Sequence, residues 1–230
     1  MAKETALIVG AGAGLSASLA RLFARQGMAV ALAGRSPGKL DALVAETGAR
    51  AYRCDAADPD SVEALFTAVD NDLGSPDVVV FNPSARVRGP VQDLDPAAVR
   101  DALMVTCYGG FLVAQQATRR MLPRGKGALL FTGASAAVKG YPNSSSFAMG
   151  KFGLRGLCQS LARELAPKGI HVAHFVIDGG IAGPRYSDAS RGPDAFLEPD
   201  AIAESYLHVL RQHRSAWTWE IELRPWVETF

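Results

Sequence analysis

Residues 144–151 read Ser-Ser-Ser-Phe-Ala-Met-Gly-Lys, which puts Phe147 and Lys151 four apart on one face of a helix. The ammonium of Lys151 suits a ligand hydroxyl or phosphate. The ring of Phe147 has no proton to give, so the pair taken alone is equally well explained as packing. A second cluster, residues 9–16, reads Val-Gly-Ala-Gly-Ala-Gly-Leu-Ser. Gly10, Gly12 and Gly14 permit a tight turn whose backbone N–H groups approach a pyrophosphate, with Leu15 opening the helix behind it. A third cluster is Gly34-Arg35-Ser36, after the next apolar run. An acid there would bond the 2′-hydroxyl of a dinucleotide, whereas an arginine accommodates a 2′-phosphate. With Arg35 and Ser36 in place and no acid, NADP(H) is expected in preference to NAD(H). Asp55, after the third apolar run, can accept from an adenine amino group or cap its own loop.

These residues need a frame, and the periodicity of the chain provides one. Short apolar runs alternate with segments of helical period. The runs predict strands at Thr5–Val9, 28–34, 49–54, 77–81, Gly127–Thr132, Ile170–Ile177 and 218–224. Between them, Leu15, Leu19, Leu22 and Phe23 share one helical face, with Gly27 as the terminating residue. Ser36 and Pro37 suit the N-cap and first turn of the next helix, and Asp58-Pro59 opens the one after it. Asp95-Pro96 begins a long helix to about Met121, and further helices are predicted at 144–166 and 199–213. Strands separated by helices pair in parallel through right-handed crossovers, so the expected fold is a doubly wound α/β sheet with helices on both faces. No Pro/Gly/Ser-rich linker or internal repeat divides the chain, and residues 1–230 are read as one domain. The irregular stretch 179–198 is the expected substrate loop, in which Arg185 and Arg191 could attract an anion.

The bulk properties exclude several classes. A chain that is 48% hydrophobic and 20% charged suits a compact core, and a net charge of +1 with mixed signs favours neither nucleic acid nor membrane as partner. No apolar run is expected to approach the roughly 18 residues of a membrane span, and the N-terminus enters a strand without a leader. Three separated cysteines, Cys54, Cys107 and Cys158, point to reduced thiols and a cytoplasmic protein. His208 and His213 lack partners at ligand spacing, so no metal is expected. His171 and His174 are read as strand residues. Trp217, Trp219 and Trp226 are read as an apolar C-terminal seal or oligomer contact.

Taken together, the Gly10-x-x-x-Gly14 loop, Asp55, Asn82-Pro83-Ser84, Phe147-x-x-x-Lys151 and "LARELAPKGIHV" resemble the short-chain dehydrogenase/reductase family over nearly the whole chain. The resemblance implies a single Rossmann domain that binds NAD(P) at the C-terminal edge of its sheet. It also implies hydride transfer between nicotinamide and a carbonyl or alcohol. Asn82 would line the cofactor site, Ile181 would lie near the nicotinamide amide, and Lys151 would hold the nicotinamide ribose. A homodimer or homotetramer packed through the two long helices is implied as well.

The same resemblance exposes a departure in the chemical half. The family's catalytic tyrosine falls at Phe147, its serine at Ala134 with Ser135 next to it, and its asparagine at Thr106. Its third loop glycine falls at Ser16, and its Pro-Gly after the sixth strand falls at 177–179 with a one-residue ambiguity. Of the proton-transfer set only Lys151 is retained. Three expectations follow. In the first, another group supplies the proton in a rearranged site: Tyr141, Tyr108, Ser145, Ser146, Tyr186 or His174, with Ser135 replacing the lost serine. In the second, the acceptor is a conjugated alkene or an iminium ion that needs little acid help. Or the protein is an NADP-binding sensor, regulatory or scaffold subunit without turnover.

Overall fold

The structure is a computed structural model, describing residues 3–183, 186–187 and 192–228. Runs that are apolar on both faces, such as Val78–Phe81, form strands only where helices cover both sides of the sheet. Among the described residues the sheet has seven strands, the inner ones of this kind and the two edges more polar: β1 (Thr5–Val9), β2 (Ala29–Gly34), β3 (Arg50–Arg53), β4 (Val78–Phe81), β5 (Gly127–Thr132), β6 (Ile170–Ile177) and β7 (Glu220–Leu223). All neighbours pair in parallel, in the order β3-β2-β1-β4-β5-β6-β7. The order reverses between β1 and β4, where the register sets Val9 beside both Ala33 and Phe81. A doubly wound sheet opens its ligand crevice at such a switch point.

One face of the sheet is covered by α1 (Leu15–Arg25), α2 (Asp41–Thr47) and α7 (Pro199–Leu210), around Leu19, Phe23, Leu32, Phe175 and Tyr206. The other is covered by α3 (Pro59–Leu73), α5 (Gly109–Met121) and α6 (Ser145–Leu165), around Phe66, Phe81, Phe131 and Leu154. Asp58 and Asp95 cap their helices through Asp60 N–H and through Ala97 and Ala98 N–H, with proline in the first turn of each.

Three local expectations change. Ser36 makes no side-chain cap; Pro37–Leu40 forms a 3₁₀ turn, because Pro37-Gly38 tightens the entry and delays α2 to Asp41. The long helix is not regular. It runs as α4 (Pro96–Leu103), a π turn at Met104–Tyr108, and then α5. Just past the π turn, a Cβ on Gly109 would come within 2.6 Å of the Ala56 carbonyl, so α5 can lie against the loop after β3 only with glycine there. Third, of the C-terminal tryptophans Trp217 stacks on His171 with ring centroids 4.7 Å apart and Trp219 lies under the Arg155 guanidinium, whereas Trp226 is 78% exposed and does not seal the chain's own core.

The helical run Pro96–Arg124 contains an 18-residue window of mean hydropathy 1.3, of which 39% is buried. Its inner face meets α3 and α6, and its outer face leaves Tyr108, Phe111 and Leu122 exposed.

Candidate functional site

The crevice between β1, β2 and β4 is a cleft of about 330 Å³ lined by Gly10, Ala11, Arg35, Cys54, Asp55, Asn82 and Ser84, among others. Its first wall is the loop after β1. Gly10 sits at φ 82°, and a Cβ there would come within 2.7 Å of Pro83 N, so both conformation and packing demand glycine. Gly12 and Gly14 are different: among the described residues nothing lies within 4 Å of a Cβ built on either. Their bareness serves no internal contact and leaves the backbone open to a ligand, as a pyrophosphate cradle requires.

Ser16, buried in the first turn of α1, staples this wall to the next. Its hydroxyl donates to Gly10 O at 3.1 Å and accepts from Asn82 Nδ2 at 2.7 Å. Asn82 therefore positions the loop after β4. Gly10→Ala is expected to destabilise the fold by about 1–3 kcal/mol through the positive φ alone, with the clash adding to it; thermal unfolding reads this, and a wild-type melting temperature would refute it.

Asp55 caps its own loop, its Oδ1 accepting from Ala57 N–H at 3.0 Å, and it stays exposed at the cleft. Arg35 is exposed at the cleft rim beside Ser36. Cys54 lies beneath, its thiol pushed up to about 11 by burial. The bare glycines and the open cleft fit a dinucleotide.

On the far side of β4, Lys151 is 2% exposed, and its Nζ donates to Thr132 O at the end of β5, at 2.6 Å. Its pKa is lowered to about 8, chiefly by burial, with the positive charge of Arg86 a smaller contribution in the same direction. Thr132 is itself held from the opposite face of the sheet. Its hydroxyl pairs with Tyr206 Oη at 2.8 Å, and the Tyr206 ring stacks on Phe175 with centroids 3.5 Å apart. Tyr206 is fully buried, which raises its pKa, and it supports the lysine through Thr132 without reaching the cleft. Tyr206 did not stand out in the sequence, because on α7 it shares an apolar face with Ile202, Ala203 and Val209 and reads as core.

Phe147 lies one turn before Lys151, with its ring centroid 6.0 Å from Nζ. Above it runs the segment 85–87, fixed at both ends by hydroxyls. Thr106 Oγ1, in the π turn, accepts from Ala85 N at 3.0 Å and donates to Ala85 O at 3.3 Å. Ser146 Oγ accepts from Val87 N and donates to Val87 O, both at 2.9 Å. Between these anchors the Arg86 guanidinium rests on the Phe147 ring, Cζ 4.1 Å from the centroid. Gly150 allows the approach of α6 to the π turn, since a Cβ there would come within 3.1 Å of Thr106.

The groups named as replacement proton donors separate clearly. Ser135 heads a 3₁₀ turn directly after Ala134, half-buried. Tyr141 lies in the exposed loop before α6. Ile181 bridges Leu197 beyond β6, and Tyr186 packs on Phe196 nearby. Three candidates are out of position or committed elsewhere. Tyr108 stacks on Phe111 on the exposed outer face. Ser146 spends its hydroxyl on Val87. His174 is fully buried and bonds Glu220 through Nδ1 at 3.0 Å, with burial lowering its pKa to about 4. Asp178, at the end of β6, binds Lys139 at 3.1 Å and Arg224 at 2.9 Å, tying the loop after β5 to β7. Arg185 and Arg191 lie outside the described residues.

Comparison with known proteins agrees with this geometry. The sequence model described as short chain dehydrogenase matches residues 4–185. Over 218 residues the chain is 33% identical to cis-4-hydroxycyclohexanecarboxylate dehydrogenase of Sinomonas cyclohexanicum, covering 89% of this chain and 88% of that protein. It is 31% identical over 187 residues to (+)-borneol dehydrogenase 1 of Salvia officinalis, covering 78% and 72%. Among solved structures, a short-chain dehydrogenase from Rhodopseudomonas palustris aligns with TM-score 0.84 and 36% identity, over 97% of this chain and 99% of that chain. The alcohol dehydrogenase from the archaeon Thermococcus sibiricus, solved with 5-hydroxy-NADP, shares the fold at TM-score 0.87 and 23% identity, over 99% and 98%.

Proposed function

The chain belongs to the short-chain dehydrogenase/reductase family of oxidoreductases, and we propose that it is an NADP(H)-dependent member with a non-standard proton donor. Its reaction is hydride transfer between nicotinamide and a small carbonyl or alcohol, or a conjugated alkene or imine. The observations that carry this reading are Lys151, buried with its Nζ on Thr132 O at the end of β5, and a glycine loop after β1 whose Gly12 and Gly14 no described residue approaches.

The nicotinamide, when bound, supplies or receives the hydride. The chain's own residues do the rest. Backbone N–H groups of the Gly10–Gly14 loop hold the pyrophosphate, Arg35 with Ser36 holds the 2′-phosphate, and Lys151 Nζ holds the nicotinamide ribose. With its pKa near 8, Lys151 can also hold or release a proton close to neutrality. Phe147 cannot donate a proton and Ala134 cannot bond a carbonyl oxygen. The hydroxyl of Ser135, one residue along, takes over the second task, while Tyr141, Ser145 or Tyr186 takes over the first. Thr106 serves as a structural anchor of the 85–87 segment.

The test is titration of the purified protein with NADPH, followed by assay with ketones, enones and imines. NADPH binding with oxidation by at least one class supports the proposal. Binding without oxidation by any class favours the alternative, a sensor, regulatory or scaffold protein. Arg35→Ala is expected to weaken NADPH binding ~10-fold or more while leaving NADH unchanged, since a charge-assisted contact contributes about 1.5–3 kcal/mol; equal losses for both cofactors would remove Arg35 from the 2′-phosphate.

We also infer a homodimer or homotetramer packed through α4–α5 and α6, in the cytoplasm, where the three free cysteines stay reduced. The outer groove of Leu103, Met104, Cys107, Tyr108, Phe111 and Met149 is almost wholly apolar. Phe152, beside it on α6, is 46% exposed. Phe111→Asp is expected to convert the oligomer to monomers by light scattering; an unchanged mass would place the interface elsewhere.

A further inference from the structure

We propose that Asp178 is a positioning residue for the reaction: through Lys139 it fixes the turn after β5 that presents Ser135 and Tyr141 to the substrate. This rests on the functional reading above, with Ser135 holding the carbonyl oxygen and Tyr141 supplying the proton.

Asp178 follows directly on β6, and its side chain is 5% exposed. A carboxylate so deeply placed is costly unless cations and hydrogen bonds satisfy it. Two cations do so here at a single oxygen. Asp178 Oδ2 accepts from Lys139 Nζ at 3.1 Å and from Arg224 Nη2 at 2.9 Å. Its own backbone is fixed as well, since Asp178 N–H donates to Leu223 O on β7 at 2.8 Å. The carboxylate is therefore held by the sheet, and Lys139 is what it holds in turn.

From Lys139 the constraint runs back along the chain. Lys139 N–H donates to Ser135 O at 2.8 Å, Val138 N–H donates to the same oxygen at 3.0 Å, and Ala137 N–H donates to Ala134 O at 2.8 Å. These bonds close the 3₁₀ turn Ser135–Ala137. One residue thus bonds Ser135 through its backbone and Asp178 through its ammonium. Tyr141 comes two residues later. The hydrogen bond to Asp178 raises the pKa of Lys139, and Tyr141 acts on the ammonium in the same direction, which places the phenol near it. Beyond Tyr141, Asn143 O accepts from Gly89 N–H at 3.2 Å and ties the far end of the segment to the loop after β4. Residues 135–143 are held at both ends, with the Tyr141 side chain exposed between them. Proton transfer and carbonyl binding depend on placement, and a displacement of about 1 Å can cost ~10²-fold in rate. Asp178 sets that placement through the turn and does not itself touch the substrate.

The test uses the full-length protein with NADPH and whichever of the ketones, enones and imines it reduces. Lys139→Met leaves the Asp178–Arg224 pair in place. It is expected to lower kcat ~10–100-fold while NADPH affinity and the KM of the acceptor stay as in the wild type. Lys139→Arg, which keeps a cation for Asp178, should restore most of the loss. Asp178→Asn should lower kcat to a similar extent, and the double variant should lose no more than either single one, because both act through one contact. Hydrogen exchange at the Ala137, Val138 and Lys139 amides should quicken in Lys139→Met. A merely structural role would lower the melting temperature of these variants and leave kcat unchanged. An unchanged kcat in Lys139→Met, a loss confined to KM, no rescue by arginine, or losses that multiply in the double variant would each overturn the proposal. A wild type that binds NADPH and reduces no acceptor would count against the functional reading instead. Exchange at the three amides then still decides whether Asp178 holds the turn, since an unchanged rate in Lys139→Met shows that it does not.

Discussion

Phe147→Tyr is expected to raise NADPH oxidation with simple ketones by ~10²–10⁴-fold, the usual contribution of a positioned general acid. The new hydroxyl would extend from a ring already one helical turn from Lys151, with its centroid 6.0 Å from Nζ and the guanidinium of Arg86 at 4.1 Å from the centroid. Both cations favour the phenolate and bring the phenol's pKa toward neutrality, where it exchanges protons fastest with a carbonyl. Adding Ala134→Ser should contribute on the order of 10²-fold more, as an oxygen-holding donor does. The readout is steady-state NADPH consumption with cofactor affinity measured alongside. A tyrosine variant that binds NADPH normally and gains nothing would show that this ring does not face the reacting carbon, and the family alignment at residue 147 would fall.

The second large effect concerns Lys151→Met. Removing the ammonium should weaken NADPH binding by ~10-fold or more and stabilise the cofactor-free fold. The sign of the stability term follows from the direction of the shift. Burial lowers the folded pKa from 10.5 to about 8, so charging the lysine opposes folding. That penalty is fully present below pH 8, fades as the pH rises toward 10.5, and is gone above it. Stability of the wild type should therefore climb across that window by on the order of 3 kcal/mol, and the methionine variant should not show the climb. NADPH affinity should move the other way, falling above pH 8 as the ammonium loses its proton. Urea unfolding and cofactor titration at a series of pH values test both. A wild type whose stability is flat between pH 8 and 10 would mean that Lys151 keeps its ordinary pKa.

The parallel sheet was legible because its signals are local and repeated. Val78–Phe81 and Ile170–Ile177 are buried along their whole length, and a run apolar on both faces has few other homes. The Asp58-Pro59 and Asp95-Pro96 caps were legible for the same reason, since a cap is a contact between near neighbours. The π turn was not. Met104–Tyr108 carries no residue that forbids a regular helix, and it sits where Gly109 must pass the Ala56 carbonyl, a contact made across the fold. Ser36 misled because residue type allows a cap without requiring one.

The sequence by itself determined the fold class, and it set Gly10, Gly12 and Gly14 in one turn after β1 and Phe147 one helical turn before Lys151. All of these are carried by residue identity and spacing along one strand, turn or helix. Only the tertiary structure decided what surrounds that pair. Thr106 and Ser146 are 40 residues apart in the numbering, yet they grip the two sides of Arg86. Tyr206 steadies Lys151 through Thr132 from the opposite face of the sheet. Such contacts join segments whose separation carries no period, so no local pattern announces them. They form because the crossovers of a parallel sheet bring the ends of β4, β5 and α6 to one edge. There the Phe147 ring comes to lie between the Arg86 guanidinium and the Lys151 ammonium.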